Sequence, residues 1–87
     1  MPVSIPEGVH EIQKIIIDWV GEFVENPEVS PEDNFLDLGG HSLLAMNLNT
    51  VVQQRFGHEL DVRVLFEESL GSAIAELQDR VVRQPAR

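Results

Sequence analysis

Residues 36–46 read LDLGGHSLLAM, an acidic turn, a glycine pair, a histidine and a serine, followed at once by an apolar run. From Ser42 onward Leu44, Ala45, Leu48, Val51, Val52 and Phe56 fall at helical spacing, and Gly57 supplies a C-terminal stop, so the run predicts a helix over 42–56. The other side of that helix is polar, with Asn47, Asn49, Thr50, Gln53 and Gln54. Leu43 and Met46 break the division, because both apolar side chains lie where the helix should face water. The helix sets the fold class, and the hydroxyl at its mouth sets the functional question.

Upstream, Pro2 and Pro6 keep the first residues extended, and Val9, Ile12, Ile16, Trp19 and Phe23 then recur at spacings of 3, 4, 3 and 4. Ile15 and Val20 widen that stripe into one face of a first helix, which Asn26-Pro27 should stop. From Glu28 to His41 the composition turns to Ser, Pro, Asp, Asn and Gly, with Val29, Phe35, Leu36 and Leu38 as apolar pegs. A connection of that length in a compact domain tends to carry function, and this one ends at the serine.

Downstream, Val62 to Phe66 is too short for an independent helix and is expected as one or two turns pressed on the core. Leu70, Ile74, Leu77 and Val81, with Ala73 between them and Ser69 as N-cap, predict the last helix. Gln84-Pro85-Ala86-Arg87 is expected to fray. The fold class is therefore all-α: a small four-helix bundle of three long helices and a short third one, in a single domain over 1–87 with an ordered core of about 8–83. Its expected core comprises Trp19, Phe23, Phe35, Leu48, Phe56, Phe66, Ile74 and Leu77.

With 43% hydrophobic and 24% charged residues, the chain has the material for one core and no disorder-like bias. It contains no cysteine, so stability must come from packing, and the composition fits a reducing, cytoplasmic setting. No apolar stretch is long enough to cross a bilayer, and Met1-Pro2-Val3-Ser4 lacks the basic and apolar regions of an export signal. A net charge of −9 repels phosphate backbones and anionic lipid, which argues against nucleic-acid or membrane partners and for basic ones. Nine of the acids precede Ser42, against Lys14 alone, so the negative field sits on the first helix and the long loop. A run of that kind is either a solvated face or a docking field.

Three readings of Ser42 compete. As a plain N-cap it would satisfy first-turn N–H groups, yet Ala45 stands where a capping box needs Glu or Gln, and capping leaves the outward Leu43 and Met46 unexplained. As a hydrolase nucleophile paired with His41 it fails. Adjacent residues seldom aim an imidazole at the hydroxyl, Leu43 replaces the glycine of a nucleophile elbow, and so short a chain offers little room for a strand-built oxyanion hole. As a tethering site it uses every feature: a phosphate esterified to its oxygen would sit at the positive end of a helix. Gly39 and Gly40 would clear bulk for a modifying enzyme, and Leu43 and Met46 would offer partners an apolar patch. His10, His41 and His58 lack metal-like spacing and are expected as solvent-facing or capping residues, and the acids of DNFLDLGG lack the pattern of a calcium loop, so no metal is expected.

The segment DNFLDLGGHSLLAM, residues 33–46, resembles the core motif of peptidyl (aminoacyl) carrier proteins of nonribosomal peptide synthesis, in the acyl-carrier-protein-like superfamily. RFGHELDVRVLFE, residues 55–67, resembles the next block of that family, and the first helix fits its pattern. Ser69-Leu70 departs from the Pro-Thr usual before the last helix, while Gly-Gly-His-Ser leans toward the peptidyl rather than the fatty-acid class, which usually has Asp in place of His41.

The resemblance implies that Ser42, flanked by Gly39, Gly40 and His41, receives a 4'-phosphopantetheine arm from coenzyme A by the action of a phosphopantetheinyl transferase. The arm's thiol would then carry an aminoacyl, peptidyl or acyl group as a thioester. The implied partners are an adenylation enzyme that loads it and condensation, tailoring or thioesterase enzymes that act on it, with Leu43, Met46, Val64 and Leu65 as docking residues. The implied protein is a non-catalytic, cytoplasmic, monomeric carrier. Two alternatives stay open, an acyl carrier of a polyketide or fatty-acid pathway and an unmodified helical interaction module in which Ser42 merely caps.

Overall fold

Each apolar stretch closes into a helix: α1 (Glu7–Val24), α2 (Ser42–Phe56), α3 (Val62–Glu67) and α4 (Leu70–Arg83). The computed structural model describes residues 7–84, with side chains from residue 11 onward, and contains no strand among them. The expected positions of Pro2, Pro6, the side chains of Val9 and His10, and residues 85–87 lie outside that range. α1 packs against both α2 and α4, and α3 packs on α4. The Cα radius of gyration is 12.6 Å, close to the roughly 12 Å of a compact chain of this length.

The core runs through all four helices. It comprises Ile12, Ile16 and Val20 of α1; Leu44, Ala45, Leu48 and Val52 of α2; Leu65 of α3; and Leu70, Ala73, Ile74 and Leu77 of α4. Phe35 from the long loop and Leu60 from the α2–α3 connection complete it. Of the expected core, Phe35, Leu48, Ile74 and Leu77 are buried, whereas Trp19, Phe56 and Phe66 pack against it partly buried. Phe23 is a correction: it stands 54% exposed, its ring stacked 4.2 Å from that of Trp19. The buried row on α1 steps by four, Ile12, Ile16, Val20, then the partly buried Val24, and turns about 40° around the helix at each step. Periodicity fixes an angle around the axis, not the height at which neighbours cover it. Near the end of α1 the covered side has moved away from Phe23.

α1 ends earlier than a proline stop alone would place it. Glu25 takes a left-handed conformation (φ 57°), and the Asn26 N–H reaches back to the Gly21 carbonyl at 2.9 Å, a Schellman closure made without glycine. α2 has the expected limits, with Gly57 at φ 76° donating its N–H to the Gln53 carbonyl. Asn49, expected on the water-facing side, is instead buried and clamps the α2–α3 connection. Its Oδ1 accepts from the Leu60 N–H at 2.8 Å and its Nδ2 donates to the Leu60 carbonyl at 3.1 Å. Ser69 caps α4 as expected, accepting from the Ser72 N–H at 3.1 Å, and Gln84 closes the helix with its N–H on the Arg80 carbonyl. Ser69-Leu70 thus starts the helix where the family's Pro-Thr would.

The long loop is held as firmly as a helix. The Leu70 and Gly71 N–H groups at the start of α4 donate to the carbonyls of Asp33 (2.8 Å) and Pro31 (2.6 Å). Asn34 Nδ2 donates to the carbonyls of Phe66 (3.1 Å) and Glu68 (2.7 Å), and the Phe35 ring stacks on Phe66 with centroids 6.0 Å apart. Val29 and Leu38 are partly buried pegs, but Leu36, expected as a third, is 46% exposed. No described helix is long and apolar enough to cross a membrane.

Candidate functional site at the start of α2

The loop anchor positions the start of α2. With Asn34 and Phe35 fixed, the chain makes a tight turn in which the N–H groups of Leu38, Gly39 and Gly40 donate to the carbonyls of Asn34, Leu36 and Phe35. Gly39 leaves it at φ 97°, a conformation that side chains rarely adopt. Gly40 has a different purpose from the clearance expected of it. A Cβ there would lie 2.4 Å from the Phe35 ring, so the missing side chain is what lets the aromatic anchor seat beneath the turn. A Cβ on Gly39, by contrast, would meet nothing within 4 Å, and only there does the pair leave open space beside the serine.

The residue that caps α2 is His41, not Ser42. His41 is extended, its Nδ1 accepts from the Leu44 N–H at 3.3 Å, and its carbonyl accepts from the Ala45 N–H at 2.9 Å. This bond requires the imidazole's Nδ1 lone pair, so that nitrogen is not offered to Ser42 as a base. Ser42 becomes the first residue of the helix, exposed, with no acceptor or donor for its hydroxyl among the described residues. The N–H groups of Ser42 and Leu43 also lack a protein acceptor among the described residues. The contrast with α4 is informative, since there loop carbonyls occupy the equivalent donors. A phosphodiester on the Ser42 oxygen would therefore meet open N–H groups at the positive end of a helix.

Leu43 and Met46 flank the hydroxyl and are 62% and 66% exposed, as their place on the polar side predicts. Of the two α3 residues expected to dock partners, Val64 is partly buried against the core and Leu65 is fully buried. Leu65 therefore leaves the candidate surface: α3 is amphipathic within six residues, and its inward position belongs to the core. Val62, missed in the sequence, is the α3 residue that presents apolar surface, at 41% exposure. The signal was available in its spacing from Leu65, three residues away and hence near the same face only at the edge.

Four helices without a described strand, a pinned loop and an exposed serine that starts the second helix define a small all-α carrier-type domain. The family comparison agrees: residues 10–77 match the model of the phosphopantetheine attachment site, and the chain belongs to that family. Its prosthetic group is a covalently attached 4'-phosphopantetheine. The chain is 39% identical over 64 residues to a dimodular nonribosomal peptide synthase of Bacillus subtilis (strain 168), an overlap of 74% of this chain and 3% of that protein. It is 41% identical over 66 residues to a probable non-canonical nonribosomal peptide synthetase of Salinispora arenicola, covering 76% of this chain and 1% of the relative. A third relative, a linear gramicidin synthase of Brevibacillus parabrevis, is 32% identical over 76 residues, 87% of this chain and 2% of that one. The chain thus spans only a few hundredths of the length of these relatives. No solved structure matches it with significance.

Proposed function

We propose that this chain is a peptidyl carrier of nonribosomal peptide synthesis and that Ser42 is the residue that bears its arm. The observation that carries the reading is the exposed Ser42 hydroxyl at the first position of α2, beside N–H groups that no described residue occupies. In the modification, Ser42 Oγ forms a bond to the pantetheine-side phosphorus of coenzyme A. The pyrophosphate P–O bond breaks, adenosine 3',5'-bisphosphate leaves, and the serine proton passes to the transferase. When bound, the arm supplies a thiol on which an aminoacyl or peptidyl group is held as a thioester. The chain's own part is to hold the attachment point rigid and present it. Adenylation, condensation, tailoring and thioesterase enzymes are the partners of this reading, and the chain contributes no catalytic group to their reactions.

The peptide setting rests on the likeness to peptide synthetases rather than to fatty-acid carriers. The competing reading, an unmodified interaction module, has lost one support, because the cap it assigned to Ser42 belongs to His41. Incubation with coenzyme A and a broad-specificity transferase, followed by intact-mass measurement, separates the two. One phosphopantetheine adduct that disappears in Ser42→Ala is expected. An unmodified wild-type chain would overturn the carrier reading. Because Ser42 caps nothing, the Ser42→Ala variant should unfold within about 0.5 kcal/mol of wild type, so a missing adduct cannot be blamed on unfolding.

A further inference from the structure

Beside Ser42 lies an open groove of about 430 Å³ between the end of α1, the turn at Leu38–Gly39 and the first turns of α2. His41 and Leu43, the two neighbours of Ser42, both line it, so anything attached to that oxygen begins at the groove's rim. Its walls include the exposed Phe23 and Leu43 and the partly buried Val24 and Leu38, with the exposed Asn47 amide at one edge. No carboxylate, lysine or arginine lines it, in a chain of net charge −9. A second groove, on the same helix, differs: Asp18, Glu22 and Glu25 line that one, which suits a cationic partner.

We infer that the charge-free groove is a resting place for the chain's own pantetheine arm, an inference that rests on Ser42 being the attachment residue. The chemistry matches along the arm's length. Its geminal methyl groups suit Leu38 and Leu43, its two amides suit the Asn47 side chain, and its thiol end reaches toward Phe23. A basic peptide would find no counter-charge on these walls. Tethering helps, because a short flexible linker gives an effective concentration in the millimolar range, so a contact with a dissociation constant of about 1 mM is occupied about half the time. Leu43 is both the groove's lip and part of the proposed docking patch. A partner that covers Leu43 would therefore loosen the resting arm as it binds, which couples docking to presentation of the thioester.

The test uses isotope-labelled protein carrying an unlabelled arm, after intact-mass measurement shows the adduct on Ser42. Filtered nuclear Overhauser spectra should connect the arm's methyl protons to the Phe23 ring and the Leu38 methyls. The emission of Trp19, the chain's one tryptophan, which stacks on Phe23, should change on going from the unmodified to the modified form. That change should vanish in Phe23→Ala, and an acetyl thioester on the arm should hydrolyse about two-fold faster there, as expected for losing half-time shelter. An adduct on Ser42 without those contacts, or with contacts only to Val62 and Val64 of α3, overturns this inference and leaves the carrier reading standing. Absence of the adduct overturns both.

Discussion

At the scale of single residues, the site is built from backbone demands rather than reactive side chains. Gly40 is the clearest case, because the Phe35 ring occupies the space a β-carbon would need, at 2.4 Å, and neither the tight turn nor the buried ring has an easy way to yield. Gly40→Ala should cost about 2 kcal/mol by overpacking, read from urea unfolding, with the start of α2 shifted in amide spectra. The opposite sign is expected at Glu25, whose left-handed conformation disfavours any residue with a β-carbon. Glu25→Gly should stabilise the chain by about 1 kcal/mol, measured the same way, because glycine adopts that conformation without penalty. Neither effect is visible in a hydrophobic pattern. The Gly39-Gly40 pair was legible as special, but its two members serve different needs, one conformational and one steric, and only the Phe35 ring position separates them.

Among the elements, the second helix does most to order the molecule, since it carries the serine at one end and braces the connection to α3 from its flank. The brace is Asn49, whose side chain satisfies both backbone groups of Leu60 in a buried setting. Removing it strands a donor and an acceptor away from water, so Asn49→Ala should destabilise by about 2–3 kcal/mol in chemical denaturation, well beyond an ordinary polar surface change. Because Leu60 is itself a core residue, the same variant should speed amide exchange across 58–67 before it affects α1. The limits of α2, the cap at Ser69 and the shortness of α3 were readable from spacing and punctuation. Asn49 was not, because an asparagine at the edge of an apolar stripe looks the same whether it meets water or a neighbouring stretch of backbone.

For the whole molecule, the charge distribution and the exposed apolar residues act together. Nine of the fifteen acids precede Ser42, and Leu43 and Met46 stand exposed beside that field. Under the proposed function, Leu43→Asp and Met46→Asp should lower the rate at which an adenylating enzyme loads the modified chain about ten-fold each while far-ultraviolet circular dichroism stays unchanged, since neither side chain supports the core. The wild-type rate should also fall as salt rises from about 50 mM to 500 mM, because steering by surface charge is screened over a Debye length of about 10 Å or less. Loading rates insensitive to both changes would remove the patch from the account.

By itself the sequence determined the helical class, the order and approximate limits of four helices, and the hydroxyl that stands out at the start of the second. These depend on local rules: residues three and four apart share a face, glycine and proline end elements, and a short polar motif recurs in a family. Tertiary structure alone decided that Phe23 lies outside and Asn49 inside, that Leu65 is core while Val62 faces solvent, and that His41 rather than Ser42 caps α2. Burial depends on where other helices cross, which periodicity cannot specify, and the capping assignment depends on how the loop enters the helix. The pinned loop makes that entry, and its Phe35 anchor is what leaves the serine free.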